Sequence, residues 1–163
     1  MSPKQYAAYL RQQKKVVPER AYMPRFRRMC FKVLELTLQN TPVNFGDLRN
    51  SWHLTIGQPS ATDVEAGKSP AGVLQAAERV LNRMVLGDGV YMQNNKPYAR
   101  VWEDGLFVPP NPGPSKATHV PKSRRKTVEG TVLVRGGFNV VAPNGMLRDA
   151  VQQVQALVAA GAL

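Results

Sequence analysis

The sequence of 163 residues predicts one domain that mixes helices with short strands. Apolar residues recur at helical spacing toward both ends of the chain, over residues 24–39 and 144–160. Between them, residues 51–56 alternate apolar with polar side chains, the two-residue period of a half-buried strand. Clusters of glycine, proline, serine and aspartate separate these stretches, as turns do.

Each element has its own signal. Ser2-Pro3 starts a helix, a capping hydroxyl ahead of a proline at the first helical position. Tyr6, Leu10, Gln13 and Val17 share one face of that helix, which ends near Pro18. A second helix over 24–39 carries the stripe Met23, Phe26, Cys30, Val33, Leu34 and Leu38. Arg25, Arg27, Arg28 and Lys32 crowd its first half, where cations oppose the positive end of the helix dipole. That leaves two readings open: a solvated face, or charge held there for a partner. Asn40-Thr41-Pro42 stops the helix.

A strand follows over 51–56, with Trp52, Leu54 and Ile56 alternating with His53 and Thr55, and then a loop over 57–70. Ser69-Pro70 opens a third helix whose inner face is Val73, Ala77, Val80, Leu81 and Met84. Gly87-Asp88-Gly89 turns the chain into a short strand at 90–92. Residues 108–121, punctuated by Pro109, Pro110, Pro112, Pro114 and Pro121, form a long irregular loop of the kind that is usually functional in a compact domain. Strands at 131–135 and 138–141 make a hairpin turning at Gly136-Gly137. The last helix runs from an Asn144 cap to Ala160, with Met146, Leu147, Ala150, Val151, Val154, Leu157 and Val158 as its broad apolar face and Gly161 as its end.

Composition narrows the function. Lys and Arg total 22 against 11 Asp and Glu, a formal charge of +11; a domain so basic usually meets a polyanion, whether nucleic acid, an acidic partner or an anionic membrane, the competing reading being that the charge only confers solubility. The densest cations, Lys116, Lys122, Arg124, Arg125 and Lys126, sit where the proline-rich loop rejoins the sheet. The single cysteine, Cys30, forms no internal disulfide, supports no zinc site alone, and lies among Met29, Phe31 and Val33 as a core thiol. No apolar run approaches the roughly 20 residues of a membrane span. Residues 1–15 are polar, without the apolar segment of a signal peptide, so the expected site of synthesis and use is the cytoplasm of the producing cell.

Catalytic chemistry finds little to work with. His53 and His119 lack companions at metal-ligand spacing, and Cys30 has no local histidine partner. The one adjacent carboxylate pair, Glu103-Asp104, points in two directions on a helix or a strand. That suits structural ion pairs better than an acid and base acting on one bond. The expectation is therefore no catalytic residue, no metal and no cofactor.

Three segments look instead like joints. The first, TPVNFGDLRNSW at 41–52, contains Pro42, Gly46, Leu48, Arg49, Ser51 and Trp52. The second, PYARVWEDG at 97–105, contains Tyr98, Ala99, Glu103 and Gly105. The third, GMLRDA at 145–150, opens the last helix. In this order, spanning about residues 25–158, they resemble the small neck proteins of tailed bacteriophages, the tail-completion or head–tail joining subunits also called minor tail proteins. Phe45 stands where that family more often has a small or β-branched residue, the 69–84 helix reads as an insertion, and the proline-rich loop is long.

The resemblance implies an α+β fold, a small and mostly antiparallel β-sheet packed by a long N-terminal helix and a C-terminal helix, with the proline-rich, basic loop protruding. It makes 1–163 one neck domain, with 1–22 an N-terminal arm or helix and 106–130 an extended loop. It further implies a non-enzymatic virion protein in the phage neck, assembled in the bacterial cytoplasm. The partners so implied are a homo-oligomeric ring, six copies expected and twelve the rival, the head connector or adaptor, the tail terminator, and genomic double-stranded DNA in the channel. No membrane partner is expected. A basic lining would stabilise phosphates without reading sequence, which gives Lys116, Lys122, Arg124, Arg125 and Lys126 a role facing the channel or an acidic neighbour. Arg49 and Glu103, one in each of two joints, are expected to pair within a subunit or across the ring. The alternative is a sequence-tolerant nucleic-acid-binding module, which accounts for the charge but not for the ordered joints.

Overall fold

The computed structural model describes residue 5 and residues 19–42, 47–61, 69–106, 118–120, 132–135, 138–139 and 141–163. Among them the chain mixes helices with antiparallel strands. The order is α1 (Glu19–Asn40), α2 (Asp47–Asn50), β1 (His53–Ile56), α3 (Pro70–Arg83), β2 (Val90–Gln93), α4 (Ala99–Glu103), β3 (Thr118–Val120), β4 (Val132–Arg135), β5 (Phe138–Asn139) and α5 (Met146–Ala159). The helix expected after Ser2, Gly46, and the cations Lys116, Lys122, Arg124, Arg125 and Lys126 lie outside the described residues. No described helix is long and apolar enough to cross a membrane.

Helix α1 is the axis of the fold. Leu34 and Leu38 are buried on one stripe with Met23, and Phe26 and Cys30 pack against the same core. The helix begins earlier than residue 24 and runs through Pro24. Pro24, the sixth residue of the helix, removes the bond to the residue-20 carbonyl and crowds it, a cost confined to the second turn. Helix α5 packs along α1. The Asn40 amide donates to the Met146 carbonyl at 3.2 Å at one end, and Arg25 Nε donates to the Leu163 carbonyl at 3.1 Å at the other, so the two helices run antiparallel. Met146, Ala150 and Val154 are the buried face of α5; Val151, expected inside, is exposed because it lies off that stripe. Helix α3 packs against α1 as well, through Val73, Ala77 and Leu81. Its start is the predicted one: the Ser69 hydroxyl accepts from Gly72 N at 3.2 Å, with Pro70 at the first position. At its other end, Arg27 of α1 donates to the Met84 carbonyl at 2.6 Å.

The strands form two small sheets. β1 and β2 pair antiparallel, with His53 opposite Gln93 and Ile56 opposite Val90. β3, β4 and β5 form a second antiparallel sheet in that order. The expected hairpin is β4 and β5, with Val134 opposite Asn139. β3 lies within the stretch read as an irregular loop: between Pro114 and Pro121, Thr118–Val120 is a run the β4 edge can pair. The alternation expected over 51–56 also differs. Trp52 precedes the strand, and His53 is buried beside Leu54 rather than facing solvent. Its ring is satisfied there. The Ser51 carbonyl, 3.0 Å from Nδ1, only accepts, so Nδ1 carries the proton and Nε2 accepts from the Gln93 amide at 3.2 Å.

The C-terminal turn of α1 holds a buried polar seam. Thr37 and Thr41 hydroxyls donate to the carbonyls four residues back, Val33 at 2.7 Å and Thr37 at 2.6 Å. The Trp52 indole N–H then donates to Thr41 Oγ1 at 2.9 Å, which fastens the chain after α2 onto the end of α1. Thr41→Val keeps the shape but orphans the indole N–H. Its expected cost is about 1–3 kcal/mol in urea denaturation, because a buried donor loses its only acceptor.

Candidate functional site

The second and third joints meet. Helix α4 is short, and the chain leaves it through Gly105 at φ +67, with Asp104 N–H bonded to the Arg100 carbonyl at 2.9 Å and Leu106 N–H to the Val101 carbonyl at 2.8 Å. This turns the Glu103 carboxylate onto the start of α5, although the two lie 44 residues apart in the chain. Leu147 N–H donates to Glu103 Oε2 at 2.9 Å and Arg148 N–H to Glu103 Oε1 at 3.1 Å. A carboxylate at a helix N-terminus satisfies backbone donors that have no intrahelical partner, and it complements the dipole. Asn144, the expected cap, does not cap the helix. Gly145 occupies the N-cap position at φ +115, and the Asn144 amide instead donates to Asp149 Oδ1 at 2.8 Å, while Asn144 N–H donates to Asp149 Oδ2 at 3.2 Å.

Arg148 completes the junction. Its Nε lies 3.5 Å from Glu103 Oε1, and its guanidinium also pairs with Asp104. Arg100 reaches Asp104 from the other side at 3.1 Å. Glu103-Asp104 is therefore a structural ion-pair element, as its adjacency suggests. Glycines make the close approach possible. A Cβ on Gly145 would stand 2.6 Å from the Glu103 carbonyl oxygen, and one on Gly105 would enter the Phe138 ring of β5. Gly105 and Phe138 thus lie close together beside the junction.

The first joint is built by packing. Leu48, Ser51 and Trp52 are buried with Pro42, and Ser51 Oγ donates to the Asp47 carbonyl at 2.7 Å, closing the turn of α2. The Asn94 amide donates to the Leu48 carbonyl at 2.6 Å. Arg49 does not pair with Glu103 within the chain: Glu103 is held by α5 and Arg148, while the Arg49 guanidinium donates to the Thr41 carbonyl at a long 3.5 Å. Burial pushes the Arg49 guanidinium below its ordinary value. In the second joint Ala99 is buried and Tyr98 is exposed at the N-cap of α4. Arg148, Asp149 and Thr41 sit inside the quoted segments without having been assigned a role. The signal for Arg148 was available: a cation in the first turn of a helix has the wrong sign for the dipole and asks for a carboxylate.

Other chemistry-bearing groups are engaged in the same way. Cys30 is half-buried against the core, and burial pushes its thiol up, away from a reactive thiolate. No group of three His, Cys, Asp or Glu able to hold a metal occurs among the described residues. No protein family, characterised protein or solved structure matches the chain.

Two outcomes test the junction. Glu103→Ala should cost about 1–2 kcal/mol in equilibrium denaturation, the loss of a helix cap, and more than Asn144→Ala. Equal costs would return the cap to Asn144. Gly145→Ala should cost about 1–3 kcal/mol through backbone strain alone, with the clash against Glu103 added, whereas Gly87→Ala, at φ +102 in open space, should show the strain without the clash.

Proposed function

We propose that the chain is a non-catalytic structural subunit of a tailed-phage neck, a tail-completion protein that joins tail to head connector as one member of a ring around the DNA exit path. The observation that carries this reading is that the three segments of resemblance do architectural work in the fold. The first fastens the end of α1 through Thr41 and Trp52. The second and third lock together through Glu103, Asp104 and Arg148. A recognisable set of residues committed to joints is what a scaffold subunit requires, and a charge of +11 suits a surface that passes DNA without reading its sequence.

On this reading, six copies close through heterologous contacts. The cations Lys116, Lys122, Arg124, Arg125 and Lys126 line the channel or meet an acidic neighbouring ring. In sequence they fall between Gly105 and Phe138, which approach one another beside the junction. Such a lining acts in the assembled ring, where many weak phosphate contacts add, and little in the free subunit.

Charge reversal at Arg124 and Arg125 together should leave the denaturation midpoint of the purified protein unchanged and lower the yield of infectious particles by about tenfold or more, in keeping with the loss of a phosphate-facing lining. Full infectivity would remove the channel role. The charge also fits a sequence-tolerant nucleic-acid-binding module. That reading gains if the isolated protein binds duplex DNA tightly, with a steep salt dependence, and never enters particles.

A further inference from the structure

The sheet of β1 and β2 has only two strands, and its bonding pattern is fixed. Gly57 N–H donates to the Gly89 carbonyl at 2.8 Å, one step beyond Ile56 opposite Val90. In an antiparallel pair, bonded and non-bonded residue pairs alternate. Thr55 and Tyr91, like His53 and Gln93, therefore aim their backbone groups at each other. Val90 and Met92 aim theirs away from β1, two N–H and two C=O groups along the free edge of β2. Among the described residues none of these groups has a partner. The edge is also undefended. Sheets blunt their edges with lysine, proline or a bulge. Residues 89–95 contain no charge and no proline, and the register with β1 has no bulge. Val90 and Met92 pack their side chains on the core, while Tyr91 between them is exposed on the opposite face, its ring beside Gly89. The outer edge of β1 is not open in this way: Leu54 is buried, and α3 packs against that strand. The second sheet offers shorter edges, three residues in β3 and two in β5.

The free groups of β2 are complementary to themselves. Only outward-aimed residues exchange bonds across an edge, so an antiparallel second copy has three registers. Val90 faces Val90, Met92 faces Met92, or Val90 faces Met92. The first register calls on residue 88 as well, and the second on residue 94. Asp88 N–H is already given to the Val85 carbonyl at 3.2 Å, and residue 94 lies beyond the strand. The third register satisfies every free group of Val90 and Met92 on both copies. It also sets Tyr91 against the partner's Tyr91 on the two-fold axis, as a non-bonded pair. Side chains stand closest in such pairs, and aromatic pairs there add stability. The end of each strand next to Asp88 then meets the end of the other that leads to Lys96, charges of opposite sign. We propose that β2 pairs with β2 of a second copy in this register and joins the two sheets into one of four strands. A two-stranded sheet is marginal by itself, and the added strands supply what it lacks. The contact is isologous and closes at two copies, so it stands apart from the neck reading and its ring.

The test uses the full-length protein in sedimentation equilibrium. An edge of four residues is a small interface, so the dimer should be weak, forming at about 100 μM. Raising the salt from about 50 to 500 mM should tighten it, because salt screens the repulsion between two chains of charge +11. Contacts to phosphate would weaken over the same range. Tyr91→Lys sets like charges opposite each other on an exposed face. It should weaken dimerisation by about tenfold or more and leave the urea midpoint unchanged. By hydrogen exchange, the amides of Val90 and Met92 should be protected in the dimer and open at about 10 μM. Mild oxidation should cross-link Tyr91→Cys into dimers, but neither Thr55→Cys nor the wild type, whose single cysteine is Cys30. The pairing is overturned if Tyr91→Lys dimerises like the wild type, if the two amides stay open in the dimer, or if Thr55→Cys cross-links as readily as Tyr91→Cys. Growth beyond two copies that survives Tyr91→Lys overturns it as well. So does a wild type monomeric to about 1 mM at high salt, which would leave the edge to a strand from another protein.

Discussion

The fold depends on how the N-terminus of α5 is satisfied. A helix that begins in the interior of a protein presents backbone N–H groups that must find acceptors, and its own preceding residues are the usual source. Here the residue in the N-cap position is Gly145, which has no side chain to offer. The acceptor comes from Glu103, at the end of another helix. That choice fixes more than a cap. It sets where α5 starts, and so which of its faces meets α1. It also orients α4, because the carboxylate reaches α5 only if α4 ends where it does. Arg148 then makes the arrangement self-consistent. A cation in the first turn is unfavourable against the helix dipole, yet it stands beside the two carboxylates that the cap brings there.

The other end of the antiparallel pair is governed by the same rule with the opposite sign. The last turn of α1 has carbonyls to satisfy, and the side chains there are Thr37, Asn40 and Thr41, all buried. Each hydroxyl bonds back to its own helix, and the Asn40 amide donates to Met146, in the first turn of α5. Thr41 also accepts the Trp52 indole, so a single oxygen links the helix, the turn of α2 and the strand that follows. The end of α1 and the start of α5 are thus one polar region inside an otherwise apolar core, and a change at either end is felt by the other.

Much of this was legible in the sequence, where the determinant is local. Ser69-Pro70 announces α3 because a cap and a proline act within one turn. The hairpin of β4 and β5 follows from two glycines between β-forming runs, and the apolar stripes of α1, α3 and α5 follow from period alone. The failures are of a different kind. Asn144 is the natural cap by local chemistry, and the carboxylate of Glu103, 44 residues before Leu147, displaces it. His53 was placed outward by alternation, and a glutamine on the partner strand made an inward position tolerable. β3 was hidden among prolines because pairing depends on the neighbour rather than on the segment. Arg49 and Glu103, opposite charges in two joints, are expected to pair within a subunit or across a ring; within the chain, proximity in the fold assigns Glu103 to Arg148. The joints themselves were recognisable, but which joint meets which is a property of tertiary structure.

The cations of α1 show how the fold bears on the charge of the whole chain. Their position left open whether they form a solvated face or wait for a partner. Arg25 bonds the C-terminal carbonyl of Leu163, Arg27 bonds the C-cap carbonyl of α3, and Lys32 bonds Glu35 one turn along the helix. Two of these acceptors are carbonyls at or beyond the ends of helices, where cations are favourable, and because α1 starts at Glu19 these arginines lie past its first turn and serve α5 and α3. Arg28 remains on the exposed side, a single cation with no bond among the described residues. The first half of α1 is therefore mostly committed to holding its neighbours. An excess of +11 is not explained by a binding face there; in the proposed ring, Lys116, Lys122, Arg124, Arg125 and Lys126 are the cations assigned to the polyanion.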